Sequence, residues 1–320
     1  MRRLLLALLL PTLVGCSATE LVYRNADWLI ERWADRLLDL SRDQKAWWRL
    51  ELEPMLARHR EVELPMVTGF LGEFEQKAEE GLTEQVLTCL AERADELFRA
   101  HARLAAELAA PLLAQLTDEQ IRHLAAELRE RNSEYREEYL AEQIERRTAD
   151  RGERVLERIE RWTGPLQSAQ REMVTLAGRE MPDLAAAWLE YRLDRQQRLL
   201  ALLRQGAGEA ELGRFLEAWW VDLAERPPDL VVAVDAVRND TIALLSRLDR
   251  TLTAEQRQEL VERVARLRGA LEDAGGGGVA VEGSPCLAAR TTRARPAELD
   301  RVVPRAAEMR SAVYQIVSPP

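Results

Sequence analysis

The chain has 320 residues, 47% of them apolar and 31% charged, with a formal net charge of −10. That is apolar material for one large or two ordinary domains, and it excludes wholesale disorder. A net-acidic surface repels phosphate backbones and anionic head groups, which argues against nucleic-acid binding. Ala, Leu, Glu and Arg dominate while β-branched and aromatic residues are sparse, so the composition predicts an all-α fold: a multi-helix antiparallel bundle with a long charged helical arm.

Residues 1–15 read as a signal peptide: Arg2 and Arg3, then a nearly unbroken apolar run from Leu4. The run has about ten residues, against the roughly 20 a helix needs to span a bilayer. Leu13-Val14-Gly15-Cys16 resembles the lipobox of bacterial lipoprotein precursors. The resemblance implies cleavage before Cys16, a diacylglyceryl group on its thiol and acylation of the new amine. Two or more acyl chains anchor a protein stably, where one binds only marginally. Cleavage removes Arg2 and Arg3 and no acid, which leaves the mature chain at −12. Ser17, where Asp would signal retention in enteric-type sorting, implies release to the periplasmic face of the outer membrane. Residues 16–18 are then a lipidated tether.

The helical domain is expected over 19–274. Leu21, Val22, Trp28, Leu29, Trp33, Leu37 and Leu38 set the period of a first helix over 19–39. A second opens at Ser41, is punctuated by Pro54 and Pro65, and ends at Gly81. Leu82-Thr83 starts a third with a seam at Leu87, Leu90, Ala94, Leu97, His101, Leu104 and Leu108, stopped by Pro111. The longest, from Leu116-Thr117 to about Trp162, is densely charged with a thin apolar stripe and forms the arm. Helices over 166–181, 183–204, 209–225, 229–250 and 254–272 follow. Four glycines from Gly275 break the pattern, and 275–320 read as a Gly-linked disordered tail.

Three helix starts share one pentapeptide: Leu40-Ser41-Arg42-Asp43-Gln44, Leu116-Thr117-Asp118-Glu119-Gln120 and Leu252-Thr253-Ala254-Glu255-Gln256. Leu166-Gln167-Ser168-Ala169-Gln170 is a degenerate fourth. Each reads as a capping box: Ser41, Thr117 or Thr253 accepts the N3 amide, and Gln44, Gln120 or Gln256 reaches back to the N-cap amide. These segments resemble the L-T-x-x-Q motif of the Spy/CpxP periplasmic helical proteins, which implies a chaperone or stress-sensing role. Members of that family are shorter and lack a lipid anchor. A second resemblance covers more of the chain. Gly15-Cys16-Ser17, the block Tyr23-Arg24-Asn25-Ala26-Asp27-Trp28, Trp33 and Leu40 to Gln44 resemble the start of an uncharacterised domain-of-unknown-function family of proteobacterial lipoproteins. It extends to about residue 272, and it implies location and a helical architecture but no activity.

Trp28, Trp33, Trp47 and Trp48 cluster near the anchor and are the candidate binding surface, for a client, a partner or the bilayer interface; core packing is the alternative. His59 falls in a solvated stretch and His101 on the leucine seam; with His123 these are the only histidines. No metal-ligand spacing, P-loop, G-x-S-x-G or dinucleotide fingerprint is present, so no catalytic residue, metal or cofactor is assigned. Cys89 and Cys286 are left to pair or not. The expectation is a non-enzymatic, lipid-anchored, periplasm-facing envelope protein that binds other proteins in a chaperone-like or stress-related role. A scaffold with one specific envelope partner comes second, and an enzyme of unrecognised type third.

Overall fold

A computed structural model describes residues 25–140, 144–275 and 286. The signal peptide, Cys16, the tether and all of the tail except Gly275 and Cys286 lie outside the described residues. The described chain is helical throughout and contains no strand. Its helices are α1 (Ala26–Leu38), α2 (Arg42–Arg58), α3 (Leu64–Glu80), α4 (Glu84–Leu113), α5 (Asp118–Tyr139), α6 (Ile144–Thr163), α7 (Ser168–Glu180), α8 (Ala185–Arg204), α9 (Glu209–Leu216), α10 (Pro228–Asp249) and α11 (Ala254–Gly275).

Two π-helical turns interrupt the α geometry, His59–Glu63 between α2 and α3 and Glu217–Val221 after α9. The first makes 42–80 one continuous bent rod. Pro65 explains it: a proline ring collides with the carbonyl four residues back, here Glu61, and the wider turn moves that carbonyl aside. Pro54 and Pro65 therefore bend the helix without ending it.

Three expectations about boundaries are corrected. α4 runs through Pro111 to Leu113. An interior proline costs about 3 kcal/mol, and full burial of Leu112 and Leu113 returns roughly 1.5–3 kcal/mol each. The long arm is two helices and not one. Leu140 leaves helical geometry at φ −127°, and its N–H closes on Arg136 O at 2.8 Å. α5 then packs on α1 and α8, while α6 packs on α7 and α11. The dense charge on this stretch marks solvated faces of two packed helices. Lastly, the helix expected over 209–225 ends at Val221, where Leu223 (φ 48°) and Glu225 (φ 62°) turn the chain through the left-handed region.

The packing repeats. α1 lies on α2 and α5 as α6 lies on α7 and α11, and α2 meets α4 as α7 meets α10. The halves also exchange a helix: α3 packs on α11, and α5 packs on α8. α4 and α10 pack together between them. The order α1-α2-α3-α4-α5 is thus repeated as α6-α7-α8-α10-α11, with α9 inserted. α6 and α7 approach closely because Gly152 and Gly178 face each other; a Cβ on Gly152 would stand 2.7 Å from the Thr175 carbonyl oxygen.

Candidate functional site

All four pentapeptides cap helices, and they do so in pairs. Ser41 Oγ accepts from the Gln44 N–H at 3.2 Å, and the Ser41 N–H donates to Gln44 Oε1 at 2.9 Å. Thr117 and Gln120 repeat this at 3.3 and 3.1 Å, Thr253 and Gln256 at 3.2 and 3.0 Å. In the degenerate member the Gln167 N–H donates to Gln170 Oε1 at 2.8 Å. Each glutamine amide then crosses to another box. Gln120 Nε2 donates to Gln44 Oε1 (2.7 Å) and to the Asp39 carbonyl (2.9 Å); Gln44 Nε2 donates to Gln120 Oε1 and to the Gln115 carbonyl, both at 3.2 Å. Gln170 and Gln256 do the same, reaching the Thr251 and Pro165 carbonyls at 2.8 Å. All four side chains are buried. Each pair satisfies two loop carbonyls and two N-cap amides that burial would otherwise leave unpaired. Capping was legible in the sequence; the pairing was not, because it joins residues 76 and 86 positions apart.

Beside each lock runs a charged groove. Between α1 and α2, Arg49 forks onto Glu31 with bonds of 2.5 and 2.6 Å, and Lys45 meets Asp35 at 2.8 Å. Between α6 and α7, Arg171 meets Glu160 at 2.5 Å in a groove lined by Leu156, Thr175 and Leu176. Six residues beyond Gln44 stands Leu50, 70% exposed, and six beyond Gln170 stands Leu176, 54% exposed. Sequence reasoning missed this matched pair; the signal was the identical offset within the two pentapeptide frames.

The four tryptophans of the expected surface separate. Trp28 is 54% and Trp33 41% exposed, and Leu29 joins them on α1. Trp47 is half-buried against the core. Trp48 is 5% exposed and packs inside with Leu52 and Leu56, so it does not belong to the surface. The reason is the helical period: Trp48 lies four residues after buried Gln44 and four before Leu52, on the inward stripe of α2.

His59 is also corrected. It is partly buried, with Nε2 3.0 Å from His101 Nε2. His101 Nδ1 lies 2.6 Å from the Leu97 carbonyl, a contact that a ring N–H makes, so Nδ1 is the donor there. Burial, then the neighbouring His101 and Arg60, lower the His59 pKa from 6.5 to about 4.

Cys89 and Cys286 form a disulfide with Cα atoms 5.8 Å apart. Cys286 is buried, and its backbone is hydrogen-bonded by Glu73, whose pKa is raised by its own burial. One residue of the expected tail is therefore fixed to α4. Among the described residues no cluster of His, Cys, Asp or Glu suits a metal, and no helix is long and apolar enough to cross a membrane.

No curated protein and no solved structure matches the chain. One family model does, over residues 36–219, from the end of α1 through α9 to Trp219 and so across both glutamine-locked starts of the first half and one of the second. That match spans more than half of the chain, and the protein belongs to this family of unknown function, DUF6279.

Proposed function

We propose that this is a non-enzymatic envelope protein, anchored by lipid at Cys16 to the periplasmic face of the outer membrane, that binds other proteins in a chaperone-like or stress-related role. The observation that carries the binding role is the matched exposure of Leu50 and Leu176, one on each half of the repeat. Each projects from a helix that closes a charged groove. Singly exposed leucines are ordinary; two at the same station of a repeated architecture offer one apolar contact on each half, each on a helix that also lines a charged groove. Separate apolar contacts of this kind suit unfolded segments, which offer hydrophobic side chains at intervals and no fixed shape. The Cys89–Cys286 disulfide supports an oxidising compartment. The lipobox supports the anchor.

The test is suppression of aggregation of several unrelated unfolded proteins by the mature chain. Suppression that falls several-fold in Leu50→Asp/Leu176→Asp, with the unfolding midpoint kept, is the expected result. Inactivity on every client, or a single stoichiometric partner in crosslinked envelopes, would replace this reading with that of a dedicated scaffold.

A further inference from the structure

The outward face of α1 is apolar where an outward face is ordinarily polar. At about 100° per residue, Trp28, Arg32, Arg36, Leu29 and Trp33 fall in one arc of roughly 140°, opposite the buried Ala34 and Leu38. Of the three acids of the same helix, Glu31 pairs with Arg49 and Asp35 with Lys45, both from α2, and Asp27 falls on the opposite side of the helix from the arc. Among the described residues Arg32 and Arg36 close no ion pair. The Arg32 guanidinium lies 5.2 Å from the centre of the Trp28 ring, and that of Arg131 lies 5.8 Å from the centre of the Trp33 ring. The strip thus carries indoles and guanidiniums on the outside of a body that is acidic overall.

Its position along the chain names its occupant. Only nine residues, 17–25, separate Cys16 from the first residue of α1. Fully extended they reach about 30 Å, and any shorter path brings α1 nearer to the acyl chains on Cys16. We infer that the Trp28–Leu29–Trp33 strip docks on the bilayer that holds the anchor, an inference that rests on the lipidation of Cys16. Indole rings, with an apolar body and one N–H, settle at the boundary of head groups and acyl chains. Arg32 and Arg36 flank them at the level of lipid phosphates. An unpatterned acidic surface would be repelled from that boundary; this arc is the part of α1 from which carboxylates are absent. Docking fixes which way the body faces: the α1 edge turns to the membrane.

The experiment uses the full mature chain, lipidated in cells, in phosphatidylethanolamine-rich vesicles carrying brominated acyl chains, which quench tryptophan on contact. Quenching is expected. It should fall several-fold in Trp28→Phe/Trp33→Phe, which locates the contact. It should also fall several-fold in Arg32→Glu/Arg36→Glu, which keeps both indoles and still floats with the vesicles. A lipidated protein that floats with vesicles yet is not quenched overturns the docking and leaves the anchor standing. So does a dimer in solution that Trp28→Phe/Trp33→Phe breaks. An N-terminal peptide without acyl mass on Cys16 overturns the anchor itself, and the docking with it.

Discussion

Gln44 and Gln120 hold each other by two reciprocal amide hydrogen bonds, 2.7 and 3.2 Å long, in a site closed to solvent. Each also fastens the loop that precedes the other's helix. Replacing Gln120 by Ala strips a partner from the Asp39 carbonyl, the Thr117 N–H and the Gln44 amide at once. A buried polar group left unpaired costs about 1–3 kcal/mol, so Gln120→Ala should lower unfolding stability by about 2–3 kcal/mol or more. In urea unfolding, Gln44→Ala and Gln120→Ala should be non-additive by at least about 1 kcal/mol, whereas Gln120→Ala and Gln256→Ala should add.

The imidazole pair predicts a dependence on acid. Folded His59 titrates at about 4 against 6.5 when unfolded. Between those values the unfolded chain takes up a proton that the folded chain refuses, so stability falls as pH drops from 6.5 and this contribution levels off below 4. His59→Gln should flatten that part of the Tm-versus-pH curve, and the difference from the native chain is the readout, because carboxylates titrate there too. A curve unchanged by the substitution would remove the pair as its source.

The crossing of α6 and α7 should be intolerant of a single methyl group. Gly152→Ala places a Cβ 2.7 Å from a backbone oxygen that cannot rotate away. A loss of about 1–3 kcal/mol is expected, as for overpacked cores. Gly269 is the control: it sits within α11 with nothing within 4 Å of its would-be Cβ, so Gly269→Ala should be neutral or stabilising by up to about 1 kcal/mol.

The disulfide changes what truncation should do. A composition of Gly, Ala, Pro, Thr and Arg reads as dispensable, but Cys286 within it is buried and joined to Cys89 across 197 positions. Closing so long a loop is worth roughly 2–5 kcal/mol through the unfolded chain. Cys89→Ser, or a chain ending before Cys286, should therefore lower the midpoint of unfolding. Addition of reductant to the native chain should match it.

Much of the helical architecture was legible because its signals are local. Three of the four pentapeptides are full capping boxes, and the fourth keeps the return bond from Gln170. α8, α10 and α11 begin within two residues of the places their periodicity marks. The split of the expected arm at Leu140 was not legible. Arg129 to Arg161 has helix-forming residues throughout, and only packing on different neighbours separates α5 from α6. Pro111 misled for the same reason: the burial that carries α4 past it is supplied by residues far along the chain. The candidate surface was half legible. Trp28 and Trp33 are exposed on α1, as a surface role requires, while Trp48 and His59 were decided by partners that a one-dimensional reading does not contain. Leu50 and Leu176 gain meaning only once the two halves are superposed in thought.

The exchange of α3 onto α11 and of α5 onto α8 has a consequence for how the molecule can be dismantled. Each half lends a helix to the other, so cutting the gene at its midpoint yields two fragments with bare flanks, neither able to stand by itself but each the natural mate of its counterpart. The two halves therefore live or fail together, whether their matched N-cap stations differ, as Ser41 and Gln167 do, or are alike, as Thr117 and Thr253 are.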